Sequence, residues 1–368
     1  MPKARASVWK RKRKDMSRFF SRKYASLTPY TPGEQPQDKK YIKLNTNESP
    51  FPPSPAVLKV INSGEAENLK LYSDPESKEL KRSIAKVYGV EPKNVFVSNG
   101  SDEILNFAFM LYGRVSGAVF PNISYGFYKV FGDLYGIDYE EKPLNEDFTI
   151  NTADYKSTGK FTVIANPNAP TGIALTPSQI EEIVASNPER VVLIDEAYID
   201  FGGESCYKLI NKYSNLIVCQ TFSKSRSMAG ARLGFCFANE ELIKDLELIK
   251  YSTNPYNINR LTAAAGVAAM SENDYYIDNC NKIIENRDYT KQELEKLGFW
   301  VLDSKANFLF AKSDKISGEK LYLALKEKGV LVRHFTAEKI KDFNRITIGS
   351  REQMELFIAA VKEILGEK

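Results

Sequence analysis

NLIVCQTFSKSRSMAGARLGFCFAN, residues 215–239, sets two apolar runs on either side of a polar loop that carries Lys224, Arg226 and Arg232. NLIVCQTF (215–222) and LGFCFAN (233–239) have the look of buried strands, so Lys224 falls just past a strand end. A lysine between Ser223 and Ser225, with two arginines close behind, is either a solvated turn or one wall of a pocket for an anion. The neighbouring sequence decides between them.

Similar runs recur upstream: NVFVS (94–98), GAVF (117–120), FTVIAN (161–166) and RVVLIDEAY (190–198). Between several of them lie helix-like stretches, PESKELKRSIAKVYG, SDEILNFAFMLYG and TPSQIEEIVASNPE, with Thr176 and Ser178 as candidate N-caps. β-Branched runs alternating with helices imply an α/β fold: a large domain with a mostly parallel sheet flanked by helices. From about residue 241 the pattern turns helical. ANFLFAK, VLVRHF and RITIGS, with the helices GEKLYLALKEKG and REQMELFIAAVKEIL, then read as a smaller α+β domain. Prolines at 29, 32, 36, 50, 52, 53 and 55 forbid helix through most of residues 27–55, which read as an arm that wraps something.

The charge balance separates a tail from a body. Residues 1–23 hold ten Lys/Arg against Asp15 alone, a net +9; taken from the whole-chain +4, this leaves −5 for the rest. Residues 1–26 read as a basic, disordered extension, with Met16 as a second candidate start. An arm for nucleic acid and a targeting peptide are the other readings, the latter lacking an apolar core. No apolar run approaches a membrane span. Cys206, Cys219, Cys236 and Cys280 form no CxxC pair and read as reduced thiols of a cytoplasmic protein. With His334 the single histidine, a site built on several histidines is excluded, a Ser-His-Asp triad would have to use that one residue, and no metal is expected. Catalysis falls to Lys, Asp, Tyr and Arg.

In an open α/β sheet, ligands gather at the C-terminal ends of the strands, where four polar stretches fall. SNGSDE (98–103) opens a helix: Gly100 lets the backbone turn, and the amides of Ser101 and Asp102 form either a plain N-cap or a phosphate seat. Asp195 ends the apolar run of RVVLIDEAY, with Tyr198 close behind. NPNAPTG (166–172) places Asn168 in a rigid loop. A desolvated Lys224 among cations loses proton affinity and becomes a nucleophile for an aldehyde. A reactive amine, a carboxylate, a phosphate seat and phenol or amide donors are together what pyridoxal 5′-phosphate requires.

The ordered set SNGSDE, NPNAPTG, DEAYIDF and TFSKSRSMAGARLGF resembles the fold type I pyridoxal-phosphate aminotransferases, across residues 27–368. LTPYTPG, KLNTNESPFPPSP, LYSDPE, VLVRHF and RITIGS are similar to the histidinol-phosphate aminotransferase group within them. The resemblance implies an aspartate-aminotransferase-like fold, with a cofactor-binding domain at 56–270 and a small domain at 271–368. It implies that Lys224 holds the cofactor and shuttles a proton, that Asp195 keeps its ring nitrogen protonated, and that Tyr198 hydrogen-bonds the ring hydroxyl. Tyr125 would stack on the ring, while Gly100, Ser101, Asp102, Ser223 and Arg232 would hold the phosphate. Tyr72 would reach a partner's phosphate across a homodimer. Arg333, Arg345, Tyr30 and Asn47 would bind substrate. The family loop carries Asn where this chain has Ala169: either Asn168 substitutes, the expected case, or Tyr198 makes the ring-hydroxyl contact alone. His334, beside Arg333, should face the other way by strand alternation.

The activity implied is transamination between L-histidinol phosphate and 2-oxoglutarate, giving imidazole acetol phosphate and glutamate, in histidine biosynthesis. The alternatives are an aromatic aminotransferase, a threonine-phosphate decarboxylase of the same fold, or a nucleic-acid-binding regulator using the tail. Neither nucleic acid nor membrane is the expected partner.

Overall fold

The computed structural model describes residues 17 and 19–367; the basic stretch through Met16, together with Arg18, lies outside the described residues. The arm contributes β1 (Ile42–Leu44), followed by α1 (Pro55–Ile61) and α2 (Lys78–Tyr88). Next come β2 (Val95–Ser98) and α3 (Ser101–Ala108), which continues through a π turn into α4 (Arg114–Ser116). β3 (Ala118–Pro121), α5 (Phe127–Tyr135), β4 (Tyr139–Lys142), β5 (Phe161–Ala165), α6 (Pro177–Ala185), β6 (Val192–Asp195), β7 (Leu216–Thr221) and β8 (Gly234–Ala238) follow. After α7 (Glu240–Thr253), α8 (Arg260–Ser271) and α9 (Asn273–Lys296) come β9 (Phe299–Val301), β10 (Phe308–Ser313) and α10 (Gly318–Glu327). The chain closes with β11 (Val330–His334), β12 (Asn344–Thr347) and α11 (Arg351–Leu365).

Seven strands form one sheet in the order β2-β8-β7-β6-β5-β3-β4. β8 runs antiparallel to both of its neighbours, and every other pairing is parallel. The central strands are buried on both faces. Along β7, Leu216 and Val218 enter one core with α2, α6 and α8, while Ile217 and Cys219 enter the other with α3, α5 and α7. Ala165, Asp195 and Cys219 stand side by side, so the C-terminal ends of β5, β6 and β7 open at one level.

A second sheet, β1-β11-β12-β10-β9, is antiparallel except where β1 lies parallel to β11. Its core includes residues of α9, α10 and α11. The arm therefore donates a strand to this sheet, which its prolines had hidden. β4 had also escaped notice because YEEK is a charged edge strand, with Glu140 and Glu141 paired to Lys142 and Lys129. Of the two candidate caps, Thr176 is the N-cap of α6, forming a capping box with Gln179. Ser178 lies inside the helix, because the cap precedes Pro177 at the first helical position.

Candidate active site

A cavity of about 220 Å³ lies above the ends of β5–β7, closed on its far side by the arm and the second sheet. The loop between β7 and β8 delivers Lys224 to it. That loop is pinned at its base by bonds from Phe222 N to Leu233 O and from Met228 N to Phe222 O, both 3.0 Å. Lys224 Nζ donates to Thr46 O at 3.2 Å and lies 5.7 Å from the Tyr198 ring centre. Burial, helped by the charges of Arg345 and Arg232, lowers the amine's proton affinity to about 8. Arg226 turns away: it is buried behind the loop, 5.3 Å from the ring of Tyr276. Lys224, Arg226 and Arg232 thus serve two different faces of the loop.

Asp195 also lines the cavity. Burial raises its carboxyl to about 6, against the hydrogen bond it accepts from Tyr128, Oη to Oδ2 at 2.8 Å. Its neighbour Glu196 points to the opposite face, where it accepts from Cys206 N and Gln220 Nε2, each at 2.8 Å, as strand alternation requires. Tyr198 Oη accepts from Asn47 Nδ2 at 2.9 Å, which leaves the phenol hydrogen free to donate elsewhere. Burial raises the Tyr198 pKa, so the phenol stays protonated.

At one corner, α3 opens at its N-cap Gly100, with Ser101 and Asp102 in the first turn. Arg232 closes over it, with Nη2 3.2 Å from Asp102 Oδ2 and Nη1 3.4 Å from Ser223 Oγ. Gly100 has φ +75°, and a Cβ there would sit 2.5 Å from Arg232 Nη2. A side chain would therefore displace the guanidinium from the helix start. A Cβ at Gly234 would meet the amide nitrogen of Ser101, also at 2.5 Å. Backbone amides, a hydroxyl and a guanidinium thus converge as a phosphate seat does. Tyr125 Oη donates to Asp102 Oδ1 at 2.8 Å, fixing its ring on the cavity wall.

The opposite end carries Arg333 and Arg345, cross-strand partners on β11 and β12. Arg333 donates to Thr31 O at 3.1 Å and Pro32 O at 3.2 Å; Arg345 donates from Nη2 to Asn45 O at 3.2 Å, while its buried Nε has no protein partner. Tyr30 lies over this end, stacked on Phe127 at 4.5 Å. His334 turns away and stacks on Tyr322.

Three of the expected residues do not line this cavity. Gly100 abuts the cavity through Arg232 without lining it. Tyr72 is 79% exposed and stacks on Tyr256 at 4.5 Å, outside the cavity. Asn168, beside the cavity, donates its amide to Ile123 O and Thr171 Oγ1 and accepts from Ser124 Oγ within the loop. Ala169 presents the methyl that faces the cavity instead. Thr46, Thr221 and Tyr128 had gone unmarked, because their residue types carry no catalytic signature out of context.

A family model, aminotransferase class I and II, matches residues 39–361. The chain belongs to the class I and II aminotransferases. Among curated members, it is 52% identical over 352 residues to the histidinol-phosphate aminotransferase of Brachyspira hyodysenteriae (strain ATCC 49526 / WA1), covering 95% of this chain and 99% of that one. It is 45% identical over 353 residues to the histidinol-phosphate aminotransferase of Clostridium botulinum (strain 657 / Type Ba4), covering 96% and 100%. Among solved structures, the histidinol-phosphate aminotransferase of Sinorhizobium meliloti, in complex with pyridoxal-5′-phosphate, superposes with a TM-score of 0.87 at 23% identity, over 96% and 99% of the two chains. That last likeness speaks for the fold, which for this aminotransferase is fold type I: a large mixed sheet flanked by helices beside a second, smaller sheet.

The residues fit a phosphate-bearing aldehyde such as pyridoxal 5′-phosphate. An amine with lowered proton affinity, a buried carboxylate and a glycine-cleared corner under a guanidinium share one cavity.

Proposed function

We propose that this chain transfers the amino group between L-histidinol phosphate and 2-oxoglutarate, using pyridoxal 5′-phosphate, in histidine biosynthesis. The observation that carries this is a buried lysine of lowered proton affinity in one cavity, between a helix start capped by Arg232 and the pair Arg333 and Arg345. The names of the relatives supply the substrate.

The cofactor, when bound, supplies an aldehyde for the amine and an electron-poor ring that stabilises negative charge at the amino acid's α-carbon. Lys224 holds the cofactor and, as a free amine, moves the α-proton. Asp195 keeps a negative charge against the ring nitrogen. Tyr198, held by Asn47, donates toward the ring hydroxyl. Gly100, Ser101, Asp102, Ser223 and Arg232 seat the phosphate, and Tyr125 packs on the ring. Arg333 and Arg345 bind the carboxylate of glutamate or 2-oxoglutarate and the phosphate of the other substrate, because a planar guanidinium suits both anions. Tyr30 covers them and excludes water.

The same reading makes the enzyme a homodimer, with Tyr72 reaching the partner's phosphate corner. An exposed apolar run at Leu69, Leu71 and Tyr72 supports it. The division into an arm (27–55), a cofactor-binding domain (56–270) and a small domain (271–368) belongs to it too, supported by the two separate sheets. The four free cysteines support a reducing compartment, the cytoplasm. The test is to incubate the purified protein with histidinol phosphate and 2-oxoglutarate. Glutamate formation is expected; no glutamate, with carbon dioxide released from threonine phosphate, overturns the assignment in favour of a decarboxylase.

A further inference from the structure

The steps above make no use of Tyr128. It lies in the first turn of α5, one turn past Tyr125. Its ring is wholly buried among Phe109, Phe120 and Tyr125, with centroids 6.4, 5.8 and 5.7 Å away. A buried phenol needs a partner, and here the partner is the site carboxylate: Oη donates to Asp195 Oδ2 at 2.8 Å. The other carboxylate oxygen accepts a longer bond from Ala197 N, at 3.3 Å.

The donor's charge matters. Burial, then the field of Asp195, push the Tyr128 hydroxyl's pKa far up, so it is neutral and can only donate. A neutral donor fixes the carboxylate's plane and favours its ionised form while leaving its full charge for a cation in the cavity. A cationic donor would cancel that charge. Other groups facing Asp195 come from several elements. Asp102 on α3 opposes ionisation, and Lys224 on the β7–β8 loop favours it. Burial first, then the field of Asp195, keeps Cys219 on β7 and Tyr198 beyond β6 protonated.

Resting on the site reading given above, we propose that Tyr128 is a positioning residue, holding Asp195 ionised for the protonated ring nitrogen of pyridoxal phosphate. Tyr128→Phe keeps the packed ring and removes only the hydroxyl. Cofactor-stripped protein, unsubstituted and variant, is titrated with pyridoxal phosphate from about pH 5 to about pH 9 and followed by visible absorbance. Melting of each apo form reports that it is folded. The unsubstituted protein should lose affinity as pH falls and Asp195 takes up a proton. In Tyr128→Phe the acid limb should move up by about one pH unit, so that affinity drops roughly tenfold on the acid side and roughly twofold near neutrality. In an Asp195→Asn background the same substitution should move neither quantity. Unchanged affinity and acid limb in Tyr128→Phe would overturn the proposal. So would weakening with no shift of the limb, which is what a packing residue gives. If the unsubstituted protein itself takes up no cofactor, the site reading fails first and this inference with it.

Discussion

At the sheet end of the cavity, side chains hold one another: Tyr128 bonds Asp195, Asp102 bridges Tyr125 and Arg232, and Ser223 accepts from Arg232. At the arm end, Arg333 and Arg345 donate instead to main-chain carbonyls of Thr31, Pro32 and Asn45. A mutually satisfied side-chain network is rigid and suits a guest that stays. A guanidinium on neutral carbonyls exchanges readily for a carboxylate or phosphate, because the anion adds an opposite charge and can accept two parallel bonds. Such an end suits guests that come and go, as two successive substrates must.

Lys224→Ala should have the largest effect, lowering transamination by on the order of 10⁴-fold or more, since nucleophile and proton carrier are lost together. A rate assay with histidinol phosphate checks it. The contrast between the ends predicts a split between the arginines. Arg345→Gln should raise the substrate KM by roughly 10- to 100-fold and leave cofactor affinity within about threefold. Arg232→Ala should do the reverse, weakening cofactor binding with little change in KM. If both variants weaken both ligands equally, the two ends are not separate.

A pH series sharpens the same point. With the apo lysine titrating at about 8, the rate of cofactor uptake should climb as pH rises to that value and flatten above it, as the free amine replaces the ammonium. Arg345 is among the charges that lower this value, so Arg345→Gln should move the rise to higher pH. Tyr72→Ala should have the smallest effect, a roughly threefold loss of cofactor affinity, equivalent to one modest hydrogen bond. Equilibrium titration of the protein with pyridoxal phosphate measures it.

Much of this was legible in the sequence because strand ends collect ligands. RVVLIDEAY and NLIVCQTFSK each announce a buried strand with a charged residue at or just past its end, so Asp195 and Lys224 stand out. SNGSDE announces a helix start. The second sheet was legible only in part, since β1 is three residues in a proline-rich arm and takes its identity from β11. The internal bonds of Asn168 were not legible, because a loop's sequence does not reveal which amides its own turns hold. Tyr128 was invisible for a related reason: nothing local marks a tyrosine whose acceptor is 67 residues away.

The account depends on Lys224 being the residue that holds the cofactor. Borohydride reduction of the pyridoxal-phosphate-loaded protein, followed by peptide mass mapping, tests this most directly. One reduced cofactor group per chain on the peptide containing Lys224, absent in Lys224→Ala, is the predicted result. A label on any other lysine, or one retained in Lys224→Ala, would contradict it.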